Sequence, residues 1–332
     1  MLRALAVVAG LLVVAGGCGS DPSDQPPTTA TVGTRPLADG EAAAICARTG
    51  VELLGDVAND DLLEASGLVA SRAHPGVFWS HNDSGDGGVF AIGADGADLG
   101  FFPLAGHEII DLEDIAIAAA GDGFDLFLAD IGDNLEQRDS IRIYRFAEPD
   151  PTTPAPLDGV EVLEFVYPDR PHNAETLLID EAADQLVIVT KEQVAQSDPP
   201  EGTGPTAPSV VFEGTFEGHG DGPVQLVEAA TIDTPELETR TEGFHPLSIL
   251  GFGGVATGGD VAPDGSLVAI RTYETVWLWP RQVGQTVAEA FTSEPCEVTT
   301  ALEVQGEALA FVGDRLVTVG EGAHPPLNQL AG

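Results

Sequence analysis

One pattern is written five times along this chain, and it limits the fold more than any other feature: an acid, a short apolar strand, a turn rich in Gly, Asp or Pro, a second apolar strand, and a polar end. Glu64 leads the first copy, through His74-Pro75-Gly76 to Val-Phe-Trp-Ser-His-Asn-Asp83. Glu113 leads the second, through Gly121-Asp-Gly123 to Asp130-Ile-Gly-Asp133-Asn134. Glu175, Asp260 and Glu307 lead the other three, which end at Lys191-Glu192, Arg271 to Glu274, and Glu321. The leading acids stand 49, 62, 85 and 47 residues apart. Strand repeats with a period of about 40–50 residues are the mark of propeller blades of four strands each.

The expected fold is therefore all-β, a five-bladed β-propeller. A sixth blade could lie in the wide third interval, which holds a Pro- and Gly-rich insert from Ser197 to Pro208 and the stretch from Asp233 to Gly258. Too little chain follows Glu307 for four strands. The segment from Val51 to Val57 is expected to supply the missing outer strand, because a ring closed by both chain ends leaves no bare edge. Helical signal is confined to Val287–Phe291.

Residues 1–18 read as a lipoprotein signal peptide, with Arg3 before an apolar core and small residues before Cys18. This resembles the lipobox of bacterial lipoproteins, which implies lipidation at Cys18 and anchoring to the outer face of the cytoplasmic membrane. Residues 19–44 read as a Pro- and Thr-rich tether, and 45–332 as the propeller. Cys46 and Cys296 are an even pair in an exported chain, so a disulfide between the outer strands of blades five and four is expected.

Strand direction sets the expected site. Innermost strands of a propeller run parallel around a central channel, so Glu64, Glu113, Glu175, Asp260 and Glu307 should ring one mouth. Second strands end on the same face and add Asn82, Asp83, Asp130, Asp133, Lys191 and Arg271. Two carboxylates about 4 Å apart repel by about 4 kcal/mol at an effective dielectric near 20. Such a ring needs a cation, shared protons, or basic partners. Oxygen ligands favour a hard ion such as Ca²⁺. The competing reading is that each acid serves backbone N–H groups and binds nothing. His172, just before Asn173-Ala-Glu175, is the candidate acid or base.

The chain carries 54 acids against 13 Lys and Arg, a formal charge of −41, which excludes nucleic acid as a partner. Contact with the membrane is expected only through the lipid, and the partner is a small molecule or an envelope protein, with the chain monomeric. The strings Glu64-Ala-Ser-Gly-Leu, His81-Asn-Asp-Ser-Gly-Asp, Leu112-Glu-Asp-Ile-Ala, Asp130-Ile-Gly-Asp-Asn, His172-Asn-Ala-Glu-Thr-Leu and Gln305-Gly-Glu-Ala-Leu resemble secreted and lipoprotein β-propellers of actinobacteria. The likeness covers about residues 60–325. More distantly, the chain is similar to esterase-like phytase propellers and to gluconolactonase- and regucalcin-type lactonases, which implies Ca²⁺ in the channel and ester or lactone hydrolysis. The expectation is thus a binding or scaffold module with an acidic, Ca²⁺-competent mouth. The alternative is a metal-dependent phosphoester or lactone hydrolase with Glu113, Glu175, Asp260 and Glu307 as ligands.

Overall fold

The computed structural model describes residues 41–47, 50–194, 205–216, 222–241, 246–249 and 253–331. The expected signal peptide with Cys18, nearly all of the expected tether and most of the 197–208 insert lie outside these residues. Helix α1 (Glu41–Cys46) and strand β1 (Gly50–Asp56) come first. Blade 1 is β2 (Ala65–Ala70), β3 (Val77–Asn82), β4 (Gly88–Gly93) and β5 (Asp98–Pro103). Blade 2 is β6 (Leu112–Ala120), β7 (Gly123–Asp130), β8 (Ile141–Ala147) and β9 (Glu161–Val166). Blade 3 is β10 (Ala174–Asp180), β11 (Gln185–Thr190), β12 (Ser209–Thr215) and, after the short β13 (Val224–Gln225), β14 (Val227–Ile232). Helices α2 (Thr234–Arg240) and α3 (Pro246–Ile249) precede blade 4, which is β15 (Ala256–Val261), β16 (Leu267–Thr272), β17 (Val276–Pro280) and, after α4 (Val287–Ala290), β18 (Cys296–Val298). Blade 5 is β19 (Gly306–Val312), β20 (Arg315–Gly320) and β21 (Pro326–Ala331), completed by β1.

The fold is the expected five-bladed propeller. Strand β1 pairs antiparallel with β21 from Gly50↔Ala331 to Asp56↔Pro326, so the first strand closes the last blade. The described residues of the long third interval form no sixth blade. Asp233 caps α2 there by accepting from the Glu236 N–H, and a proline starts the helix. Strand β13 adds to blade 2 parallel to β9, and β14 forms the edge of blade 3.

Each apolar cluster lies between two neighbouring blades, because every sheet carries apolar side chains on both faces. Phe127, Ile143 and Phe165 of blade 2 meet Leu177, Ile188 and Phe212 of blade 3. Full burial of such a side chain is worth about 1.5–3 kcal/mol. Polar clamps add to the stacking. Asp114 accepts from the N–H of Ile115 and, across the blade gap, Leu177, both at 2.8 Å. Asp260 does the same with Val261 at 2.8 Å and Phe311 at 2.7 Å.

Cys46 and Cys296 form a disulfide, with Cα atoms 5.9 Å apart and 250 residues between them in sequence. Cys46 is not in the outer strand as expected. It ends α1, and its bond ties that helix to the start of β18. Cross-linking so long a loop removes much conformational freedom from the unfolded chain. The Cys46→Ser/Cys296→Ser pair is expected to lower unfolding free energy by about 2–5 kcal/mol in a urea titration; a loss under about 1 kcal/mol would contradict the clamp.

Candidate functional site

A slip in register builds the mouth. In every blade the pairing of the first two strands skips one residue: Ser66, Glu113, Glu175, Thr257 and Glu307. Such a β-bulge re-aims the extra side chain. The position just past the partner of the residue before each bulge supplies a second set: Asp83, Ile131, Lys191, Tyr273 and Glu321. Glu64 and Asp111, immediately before the innermost strands of blades 1 and 2, adjoin both sets.

The pattern of acids thus differs from the one read by eye. Glu113, Glu175 and Glu307 hold bulge positions, but Ser66 and Thr257 replace Glu64 and Asp260 there. Both hydroxyls bond the next blade: Ser66 donates to the Glu113 carbonyl at 2.8 Å, and Thr257 to the Gly306 carbonyl at 2.9 Å. Glu64 stands two residues earlier, exposed, and accepts from the Ser84 hydroxyl at 2.6 Å. Asp260 lies farther down its strand with both oxygens on backbone N–H groups.

Lys191 is the chain's only lysine. Its ammonium is buried, ion-paired to Glu175, and donates to the Tyr273 hydroxyl at 2.7 Å, with its nitrogen 4.9 Å from that ring's centre. Burial alone would lower its pKa, yet Glu175, Tyr273, Glu113 and Glu307 raise it well above the ordinary value. It remains charged.

One ammonium cannot neutralise the acids around it. Burial first, then the charges of Glu175 and Asp111, raise Glu113 well above the usual carboxylate range. Burial and Glu175 do the same to Glu307, which hydrogen-bonds Glu321. Glu175 and Glu321 are raised chiefly by burial. Asp83 is pushed up to about 7 by burial, by its hydrogen bond to Glu64, and by the charges of Glu64, Glu321 and Asp111. Glu64/Asp83 and Glu307/Glu321 are thus carboxyl–carboxylate pairs that share protons. Glu175 Oε2 and Asp83 Oδ1 are buried and have no hydrogen-bond partner among the described residues. Among those residues, no group of three or more His, Cys, Asp or Glu is arranged to hold a metal ion. A close backbone approach adds to the crowding: a Cβ on Gly132 would fall 2.2 Å from Glu113 Oε1 and 2.4 Å from Asp111 Oδ2.

The remaining expected residues do other work. Asn82 accepts from the Leu63 and Glu64 N–H groups and donates to the Asp61 carbonyl, fixing the chain as it enters β2. Asp130 pairs with Arg138 at 2.9 Å and accepts from the Asp111 N–H at 3.0 Å. Asp133 accepts from Gln137 and Arg138 N–H groups, each at 2.7 Å, and so shapes the loop after β7. Arg271 turns away from the mouth into the gap between blades 4 and 5, where it pairs with Glu303.

His172 has both ring nitrogens engaged, by Glu192 at 2.6 Å and Asp169 at 3.1 Å, and its ring packs against Tyr167 and Phe212. Burial works against its charge, but these carboxylates raise its pKa. A ring fixed on both sides is a clamp, with no nitrogen left for a substrate proton.

No protein-family model matches the chain, and no curated protein matches it. Among solved structures it is similar to the PQQ-bound aldose sugar dehydrogenase of Streptomyces coelicolor, at 14% identity and TM-score 0.45, over 85% of this chain and 98% of that one. It is also similar to a chain of a nidogen/laminin complex, at 12% identity and TM-score 0.42, over 77% and 72% of the two. Raptor of Chaetomium thermophilum matches at 11% identity and TM-score 0.40, over 84% of this chain and 29% of that one. Likenesses this remote carry no site residue over to this chain.

Proposed function

We propose that this propeller is an exported protein, held by lipid at Cys18 to the outer face of the cytoplasmic membrane, that works as a binding module through its acidic mouth. The reading includes kinship with the secreted propellers of actinobacteria, and Ca²⁺ is the candidate ion. One observation carries it: seven carboxylates (Glu64, Asp83, Asp111, Glu113, Glu175, Glu307 and Glu321) influence one another around a single ammonium, with two buried oxygens left unpartnered. Surplus acid of this kind suits a hard cation, and the bound ion would neutralise carboxylates that otherwise hold protons. No three acids are poised around one point, so an entering ion has to displace shared protons or the Lys191 ammonium.

Hydrolysis is the weaker reading. Its proton carrier His172 is fastened at both nitrogens, and its ligand Asp260 is spent on backbone amides. Calorimetric titration with CaCl₂ tests the proposal. Binding is expected at pH 7.5 with release of protons to the buffer, and at least tenfold weaker at pH 5.5. Glu307→Gln is expected to weaken it by a further factor of about ten. Absence of heat and of any melting shift at millimolar Ca²⁺ and pH 7.5 would sink the reading.

A further inference from the structure

The opposite end of the channel is built from different chemistry. There the innermost strands of blades 1, 4 and 5 finish, and their last residues, with Ile117 of blade 2 and the loops beyond, line a half-open cavity of about 300 Å³. Its wall is apolar, with Val69, Phe78, Ile117, Phe311 and Val317 all buried. It extends to Leu54 on β1, at the seam where the first strand closes the last blade.

Most polar side chains in the wall are already committed. Asp260 has both oxygens on backbone N–H groups, the Ser71 hydroxyl donates to Glu148, and Arg72 is ion-paired with Glu181. Gln329 also lines the wall, its amide oxygen 3.5 Å from Arg315, so a visitor finds contact and burial with one neutral amide as its polar neighbour. Arg72 sits between two acids, since its charge also acts on Asp260. With a formal −41 on the whole chain, an anionic head group has no basic site left to meet.

Size narrows the class further. A dry apolar cavity of about 150 Å³ takes benzene, so twice that volume holds about twelve non-hydrogen atoms. It is also at the lower end of ligand pockets, about 300–1,000 Å³.

We propose that the cavity between Val69, Ile117, Asp260 and Phe311 is a binding site for a small, neutral, apolar molecule of about a dozen non-hydrogen atoms, such as a bicyclic aromatic or a medium-chain alcohol. Because it reaches the closing seam, its occupant binds the closed ring and not the opened one. Ligation therefore raises the melting temperature.

The test titrates the full chain with 2-naphthol, decan-1-ol and decanoate, by calorimetry and thermal melting. Both neutral probes are expected to bind saturably at one site and to raise the melting temperature, with decanoate at least tenfold weaker. Val312→Trp, at the 40%-exposed rim, is expected to plug the cavity and abolish binding while leaving the unliganded melting temperature unchanged. Ala94→Trp, also exposed at the rim, gives an independent plug should the first variant fold poorly. No saturable binding of either neutral probe, tighter binding of decanoate, or binding untouched by both plugs would overturn the assignment. Ca²⁺ at the distant mouth is expected to leave these affinities unchanged, so failure here and failure of the acidic-mouth reading are separate results.

Discussion

Arg271→Met is expected to cost about 3–5 kcal/mol of unfolding free energy, read as a fall in the urea midpoint. The guanidinium is 1% exposed and crosses from blade 4 to blade 5. It donates to the Ala308 carbonyl at 2.8 Å and pairs with Glu303. Glu303 in turn accepts from Thr318 at 2.8 Å and Asn328 at 2.6 Å, both in blade 5. Methionine fills similar space but leaves the Glu303 charge buried without its counter-ion, and that stranded charge carries most of the cost. Adding Glu303→Gln to the first change is therefore expected to recover a large part of the loss. A single-variant cost below about 1 kcal/mol, or a double variant weaker than the sum of its parts, would contradict this account of the seam.

Acidification is expected to stabilise the domain in the absence of divalent ions, the reverse of the common behaviour of proteins with ion-paired carboxylates. Glu113, Asp260 and Glu307 are raised by burial, Asp260 to about 7. The folded chain therefore keeps protons that the unfolded chain releases near pH ~4. A native state that binds more protons loses stability as pH rises. The contribution of these groups is complete at low pH and disappears as pH climbs through their folded values.

His81 acts in the other direction. Burial pushes it down to about 4, so its contribution is present above pH ~6.5 and lost on acidification. The raised carboxyls outnumber this one lowered histidine, so stability is expected to fall as pH rises from 5 to 6.5. General repulsion from the −41 charge has the same sign but is screened by salt. The buried part is expected to persist in 0.5 M NaCl. A flat or rising stability over that interval in high salt would contradict it.

The ring itself was legible because blade formation follows the repeat period, which a sequence displays directly. Closure by Gly50–Asp56 followed from counting strands, and the Cys46–Cys296 bond from pairing the two cysteines that follow Cys18. The mouth was legible only in part. Matching acids by type found Glu113, Glu175 and Glu307, but the β-bulge, not the residue type, decides which side chain turns into the channel. The bulge gives Ser66 and Thr257, not Glu64 and Asp260, the re-aimed position in blades 1 and 4.

Tyr273 and Glu321 were recoverable, since each lies one residue beyond the strand-two partner of the residue before the bulge. Counting back from the hairpin turn would have found them. The loop-fixing roles of Asp130, Asp133 and Asn82 were not legible. Their partners are backbone N–H groups in loops whose path the residue pattern does not encode. The helix at Thr234–Arg240 was hidden for a simpler reason: it is too short to show apolar periodicity.

The central claim is that carboxyl groups from separate blades meet at one opening and hold protons there. Carbon-detected NMR titration of the side-chain carboxyls, in metal-free buffer from pH 3 to 9, reads it residue by residue. The account predicts a midpoint of about 7 for Asp83, and midpoints for Glu113 and Glu307 well above those of surface glutamates, all moving down when Ca²⁺ is added. Ordinary midpoints of about 4 for all three would contradict it.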